Sequence, residues 1–249
     1  VWAGVVTFPV FLVILYLTPI DAIRVLFGWL VRSLYRFRVV GLENVPASGP
    51  AIIVSNHLSW LDGMLIMLAM PRPIRMIAHV KYISTPIVRY LARRAGVIAI
   101  LPGAKSVALG FREARQALEN GELVGIFPEG GMTRTGQIRG FQPGFLRIAR
   151  GLDVPIIPVY IDGIWGSIFT YSGGRYFWKW PAFPRLRVTL HVGRPISHVH
   201  QAWQAHLALC SLGAQVVSEK HSADHIPPRR FLRTARSLLW SRKVADSTG

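Results

Sequence analysis

The chain has 249 residues, of which 51% are apolar and 8 are Trp, and its 29 Lys and Arg against 12 Asp and Glu leave a formal net charge of +17. That length can bury a large core, and the single cysteine, Cys210, excludes a disulfide framework and a cysteine zinc site. Such charge attracts polyanions, but basic residues set among many aromatic and aliphatic ones fit an anionic membrane interface better than nucleic acid.

In chain order, residues 1–35 read as membrane-spanning or interfacial helices. Val1 to Leu17 carries no charge and is just long enough to span a bilayer as a helix. From Asp21 to Arg38, Val25, Leu26, Trp29, Leu30 and Leu34 share one helical face while Arg24, Arg32 and Arg36 gather on another, the pattern of a helix lying among headgroups. Arg36 to Gly41 alternates as a short strand and opens a globular domain expected over 36–220.

Ala51 to Val54 is a short apolar run bounded by Gly49-Pro50 and Ser55-Asn56, hence a buried strand, and the segment after Trp60 reads as a helix. His57 then sits on a strand-to-helix turn. Asp62, five residues on, falls in the first turn of that helix, where the dipole favours a carboxylate that can reach back to the loop. There it could accept a proton from one ring nitrogen of His57, leaving the other to act as a general base. By itself, such a pair is more often a loop histidine beside a capping aspartate.

Ile74 to His79 reads as a strand, Lys81 to Arg94 as a helix, Gly96 to Ile100 as a strand and Lys105 to Asn120 as a second helix. Leu123 to Phe127 is a buried strand ending in Pro128-Glu129-Gly130-Gly131. Strands alternating with helices imply a mostly parallel sheet with helices on its faces, and a site in the loops at the carboxyl ends of the strands. Phe141 to Gly151 reads as a short helix, and the prolines of the apolar run Val154 to Ile161 suggest an edge strand or an irregular start. Tyr176 to Trp180 reads as an interfacial loop, Arg185 to Val192 as the last strand, Val199 to Val217 as an amphipathic helix and 221–249 as a linker. His198 and His200 are too close in sequence to face one ligand from a helix, so no metal site is expected.

Three segments in this order, Asn56-His57-x4-Asp62, Phe127-Pro128-Glu129-Gly130 and Val154-Pro155-Ile156-Ile157-Pro158-Val159, resemble the glycerolipid acyltransferases that include the lysophosphatidic acid acyltransferases. The resemblance covers roughly residues 36–200. It implies a glycerol-3-phosphate acyltransferase-like α/β fold with an N-terminal membrane-associated segment, no cofactor, and a place on the cytoplasmic face of a bacterial inner membrane. It further implies that His57 and Asp62 are catalytic and that Asn56, Glu129, Gly130, Gly131 and Arg134 meet substrate. The base would deprotonate a glycerol hydroxyl that attacks an acyl thioester directly.

Two departures bear on the acceptor. Many members of that family carry a phosphate-binding arginine where Gly131 and Met132 stand here, with Arg134 displaced by two, and a second where Leu101 and Pro102 stand. Without those guanidiniums a bare phosphomonoester is held less well, which favours a lysophospholipid with a phosphodiester headgroup. The run Phe127 to Phe145, together with Gly163-Ile164-Trp165-Gly166-Ser167, is more closely similar to the acyltransferase part of bacterial fusion proteins. In those proteins a lysophospholipid transporter precedes the acyltransferase and an acyl-carrier-protein ligase follows it, so both ends of this chain read as junctions to other domains. The donor is expected to be a thioester of acyl carrier protein or of coenzyme A. The alternatives are transfer to 1-acylglycerol-3-phosphate, and an inactive membrane-binding module. A serine hydrolase lacks its Gly-x-Ser-x-Gly elbow.

Overall fold

The computed structural model describes Val13 and residues 20–83, 85–177 and 186–225. Apart from Val13, the charge-free opening segment expected to enter a membrane lies outside the described residues, as do Trp178, Lys179 and Trp180 and the expected linker beyond His225. The chain divides into two units, 1–212 and 213–249, and the sheet and the candidate site belong to the first.

That sheet has seven strands: β1 (Arg36–Val40), β2 (Ala51–Ser55), β3 (Ile74–His79), β4 (Ile98–Ile100), β5 (Leu123–Ile126), β6 (Ile156–Asp162) and β7 (Arg187–Val192). Their order across the sheet is β1-β7-β6-β2-β5-β3-β4. All neighbours run parallel except β6 and β7, so the sheet is mostly parallel, as the alternation of strands and helices implies. β2 lies at its centre and each of its five residues is buried, which is why its sequence is a continuous apolar run rather than an alternating one.

The helices are α1 (Ile20–Leu34), α2 (Asp62–Ala69), α3 (Pro86–Arg94), α4 (Ala104–Glu119), α5 (Leu146–Ala149) and α6 (Ala202–His225). Two apolar clusters form the core. One joins Val31 of α1 and Leu65 and Ile66 of α2 to Ile53 and Ile157 of the sheet. The other joins Ala114 and Leu118 of α4 and Ile148 of α5 to Ile52 and Ile156. Neighbouring residues of one strand thus enter different clusters, the period-two alternation of a sheet covered on both faces.

Two sequence expectations need correction here. Of the two readings of the Val154 to Ile161 run, the edge strand is excluded, because β6 lies between β2 and β7, and the irregular start holds, because the strand begins only at Ile156. Pro158 is tolerated because the β6–β7 ladder begins only at Val159, opposite Val192, so the missing N–H falls just outside it, while the Pro158 carbonyl still accepts from Gly193 N at 2.8 Å. The helix expected over Phe141 to Gly151 shrinks to a 3-10 turn over Pro143–Phe145 and the single turn of α5.

α1 follows its amphipathic pattern in an informative sense. Val25, Leu26, Trp29, Leu30 and Leu34 are all exposed, Trp29 at 68%, whereas Val31 and Tyr35 turn into the core. Gly28 allows the close approach: a side chain there would meet Leu68 of α2 at 3.1 Å, and Arg24 caps the contact by donating to the Met67 carbonyl at 3.2 Å. No helix among the described residues is long and apolar enough to cross a membrane.

Candidate active site

β2 delivers Ser55-Asn56-His57 to the carboxyl end of the sheet, and α2 starts at Asp62. Asp62 is completely buried, and its carboxylate closes back onto the turn that precedes it. Oδ2 lies 2.9 Å from His57 Nδ1 and accepts from the backbone N–H groups of Leu58 at 2.6 Å and Ser59 at 2.7 Å. Oδ1 accepts from the Ser59 hydroxyl. An oxygen that already receives two N–H donors can serve the imidazole only as a further acceptor, which assigns the proton to Nδ1 and the lone pair to Nε2.

The imidazole is fixed from other directions too. Its side chain is 15% exposed, and its ring stacks on Phe127 with centroids 4.0 Å apart and planes 12° from parallel. The backbone N–H of His57 donates to Glu129 Oε1 at 3.0 Å, and its carbonyl accepts from Thr133 N at 2.9 Å. The segment after β5 therefore clamps both peptide groups of His57 while its aromatic residue supports the ring.

Glu129 is 2% exposed, and its second oxygen accepts from the Arg139 N–H at 3.2 Å. Burial pushes its carboxyl up from 4.5 to about 7, against the pull of the two backbone donors toward the ionised form. Its side chain joins the loops to each other. Gly130 is exposed and has φ +73°, a left-handed turn that suits glycine and sends the chain back over the site. Gly131 is half-buried, with the Arg139 guanidinium 3.8 Å from where a side chain on it would begin. Arg134 is exposed and lies over the Tyr171 ring at 5.5 Å.

Asn56 departs from expectation. It is 1% exposed, its amide donates to the Ile161 carbonyl at 3.0 Å, and its oxygen accepts from Ile161 N at 2.8 Å. β2 stops pairing at Ser55, and the Asn56 side chain continues the ladder in place of a backbone residue. Adjacent residues at a strand end point to opposite sides, so Asn56 turns inward when His57 turns to the opening.

Ser59, Phe127 and Arg139 also belong to this site, and sequence reading gave them no part in it. The spacing Ser59-x-x-Asp62 is a capping pattern that could have flagged the first; Phe127 and Arg139 carry no local signal, because their contacts follow from the pairing of β2 with β5. Beside the dyad, Trp60 N donates to Phe169 O at 3.2 Å, and the Trp60 ring meets Tyr176 and Phe177 at 6.2 and 5.8 Å between centroids. Among the described residues no three His, Cys, Asp or Glu side chains gather where they could share a metal ion. A cavity of about 520 Å³ lined by Leu146, Arg147, Arg150, Val154, His198 and His200 opens at the start of β6, the end of the sheet away from the dyad.

A buried carboxylate orients a histidine at the carboxyl end of a parallel sheet, and residues 36–162 around it, just over half of the chain, match the Acyltransferase family. The chain belongs to that family. Among its relatives, the chloroplastic 1-acyl-sn-glycerol-3-phosphate acyltransferase of Arabidopsis thaliana is 28% identical over 142 residues, 56% of this chain and 40% of that protein. The 1-acyl-sn-glycerol-3-phosphate acyltransferase of Borreliella burgdorferi is 30% identical over 122 residues, 49% of each chain. The chain thus spans half or less of the length of these relatives. The crystal structure of the 1-acyl-sn-glycerophosphate acyltransferase PlsC of Thermotoga maritima has the same fold, with a TM-score of 0.60 at 20% identity, over 86% of this chain and 88% of that one.

Proposed function

We propose that this chain transfers an acyl group from a thioester to the free hydroxyl of a lysophospholipid at a membrane surface, with His57 as general base. The observation that carries the reading is the 2.9 Å approach of His57 Nδ1 to a fully buried Asp62. Nε2 takes the hydroxyl proton as the oxygen attacks the thioester carbonyl. The tetrahedral adduct collapses, the C–S bond breaks, and the thiolate leaves with the proton that the imidazolium returns. Asp62 stabilises that imidazolium and fixes its tautomer. No acyl-enzyme is needed, since a thioester is already activated, and no cofactor enters.

Arg134, Gly130 and Gly131 are the residues we assign to the acceptor, with Arg134 held over Tyr171 as the exposed cation. Glu129 is assigned a positioning role, because its carboxylate is committed to His57 N and Arg139 N. The outward apolar stripe of α1 supports a membrane contact. The names of the relatives favour a second acceptor, 1-acyl-sn-glycerol-3-phosphate, for which Arg139 beside Gly131 offers a further guanidinium.

One experiment separates these readings: purified chain in detergent is given matched lysophospholipid acceptors with and without a headgroup, each with coenzyme A and carrier-protein thioesters. Faster transfer to the headgroup-bearing acceptor is expected, and none by the His57→Ala variant. Transfer confined to the phosphomonoester would install the second acceptor, and transfer undiminished by His57→Ala would remove the mechanism.

A further inference from the structure

Between His79 and Arg112 the chain carries six cationic side chains, Lys81, Arg89, Arg93, Arg94, Lys105 and Arg112, and no Asp or Glu. Three of them are on α3, and none of the nine residues of that helix is buried. So short a helix has little stability of its own in water and is ordinarily held by the face it buries. Here large aliphatic side chains point outward instead. Ile87 and Val88, in the first turn of α3, are 38% and 42% exposed, Leu101 just after β4 is 54% exposed, and Leu109 in the second turn of α4 is 58% exposed.

The parallel crossovers place all four at the carboxyl end of the sheet, where β2 also delivers His57. Exposed Trp60 and Met64, from the dyad loop and the first turn of α2, occupy the same end. Lys81 just after β3, Arg89 in the first half of α3 and Lys105 in the first turn of α4 are exposed at this same end. Exposed aliphatic side chains flanked by cations, in a stretch without Asp or Glu, match an anionic bilayer: the carbon groups enter the acyl boundary and the cations stay among the phosphates. An acidic protein would answer the charge, but not four large aliphatic side chains spread over three separate elements.

We infer that this edge of the sheet, formed by Ile87, Val88, Leu101 and Leu109 with Lys81, Arg89 and Lys105, rests on the surface of an anionic bilayer and seats the mouth of the dyad at the lipid. It is a contact separate from α1, and it stands without the proposed reaction, because lipid contact is read without acyl transfer. The test uses the whole chain in a Cys210→Ser background, with Leu101→Cys carrying an environment-sensitive fluorophore. The same label at Asn120→Cys, at the opposite end of α4, is the control. On phosphatidylglycerol vesicles the label at position 101 moves to shorter wavelength and is quenched by lipid-borne quencher, while the control does neither; on phosphatidylcholine vesicles both responses weaken. A triple variant, Lys81→Glu, Arg89→Glu and Lys105→Glu, loses at least about tenfold in vesicle binding. An unshifted label at 101 on protein that sediments with anionic vesicles overturns the proposal. So does a triple variant that binds vesicles normally but loses transfer from carrier protein alone, which would give this edge to an acidic protein.

Discussion

Replacing Asp62 by Asn isolates the charge of the dyad from its geometry. Oδ2 receives three donors, so in the Asp62→Asn variant the amide oxygen takes that place and the NH2 group faces the Ser59 hydroxyl, which can rotate to accept. The tautomer of His57 and the hydrogen bonds of the turn therefore survive, and the loss is the attraction between carboxylate and imidazolium. At a charge separation of about 4 Å and an effective dielectric constant of about 20, that attraction is about 4 kcal/mol. If most of it is felt in the transition state, turnover falls about 10²- to 10³-fold, while KM for the acceptor changes little. Thiol release from a coenzyme A thioester, followed with a thiol reagent in the presence of detergent-dispersed lysophospholipid, measures both constants. Circular dichroism and a melting curve show whether the fold is kept. Ser59→Ala, which removes one donor and leaves the charge, should cost stability more than turnover. An Asp62→Asn variant that is folded and turns over within threefold of the parent would refute the assignment of an imidazolium to the reaction path.

Glu129→Gln addresses the buried carboxyl. With the native group near 7 and the unfolded group near 4.5, the native state holds the proton more tightly, so its contribution to stability is full below about pH 4.5 and is lost as pH rises to about 7. The difference is about 3 kcal/mol, and comparing denaturant midpoints at pH 5 and pH 7.5 should show that the variant loses this pH dependence; an unchanged dependence would place it elsewhere. Asn56→Ala leaves the N–H and carbonyl of Ile161 unpaired in the core, so it should cost about 2–4 kcal/mol of stability with KM unaltered in the folded fraction. A raised KM at normal stability would return Asn56 to the substrate site. Arg134→Ala should raise KM for anionic acceptors several-fold with kcat nearly constant, as steady-state kinetics on matched acceptors would show.

Much of this architecture was legible because central parallel strands are buried on both faces and so appear as plain apolar runs: Ala51 to Val54 and Leu123 to Ile126 mark themselves. His57 and Asp62 were legible as a pair for a local reason, five residues across a strand-to-helix turn. What the sequence withheld depends on register. Whether Pro158 sits at an edge is decided by where the β7 ladder begins, and whether Asn56 faces a substrate or a neighbouring strand is decided by the position of Ile161, 105 residues away. The support under the imidazole was hidden for the same reason, since Phe127 reaches it only once β5 lies beside β2. α1 shows a third limit: its pattern identified a coherent apolar stripe, but the residues that dock the helix are the less conspicuous Gly28, Val31 and Tyr35.

Asp62 draws all four of its hydrogen-bonding partners from positions 57 to 59. A hexapeptide thus contains the proton acceptor, its counter-charge and the donors that hold that counter-charge still. The stretches that frame the opening, from Gly130 to Arg139 and from Trp165 to Phe177, donate nothing to that carboxylate, and Thr133 reaches His57 only from backbone to backbone. Their side chains are free to diverge toward new alcohols while the hydrogen bonds that hold the imidazole in place stay the same.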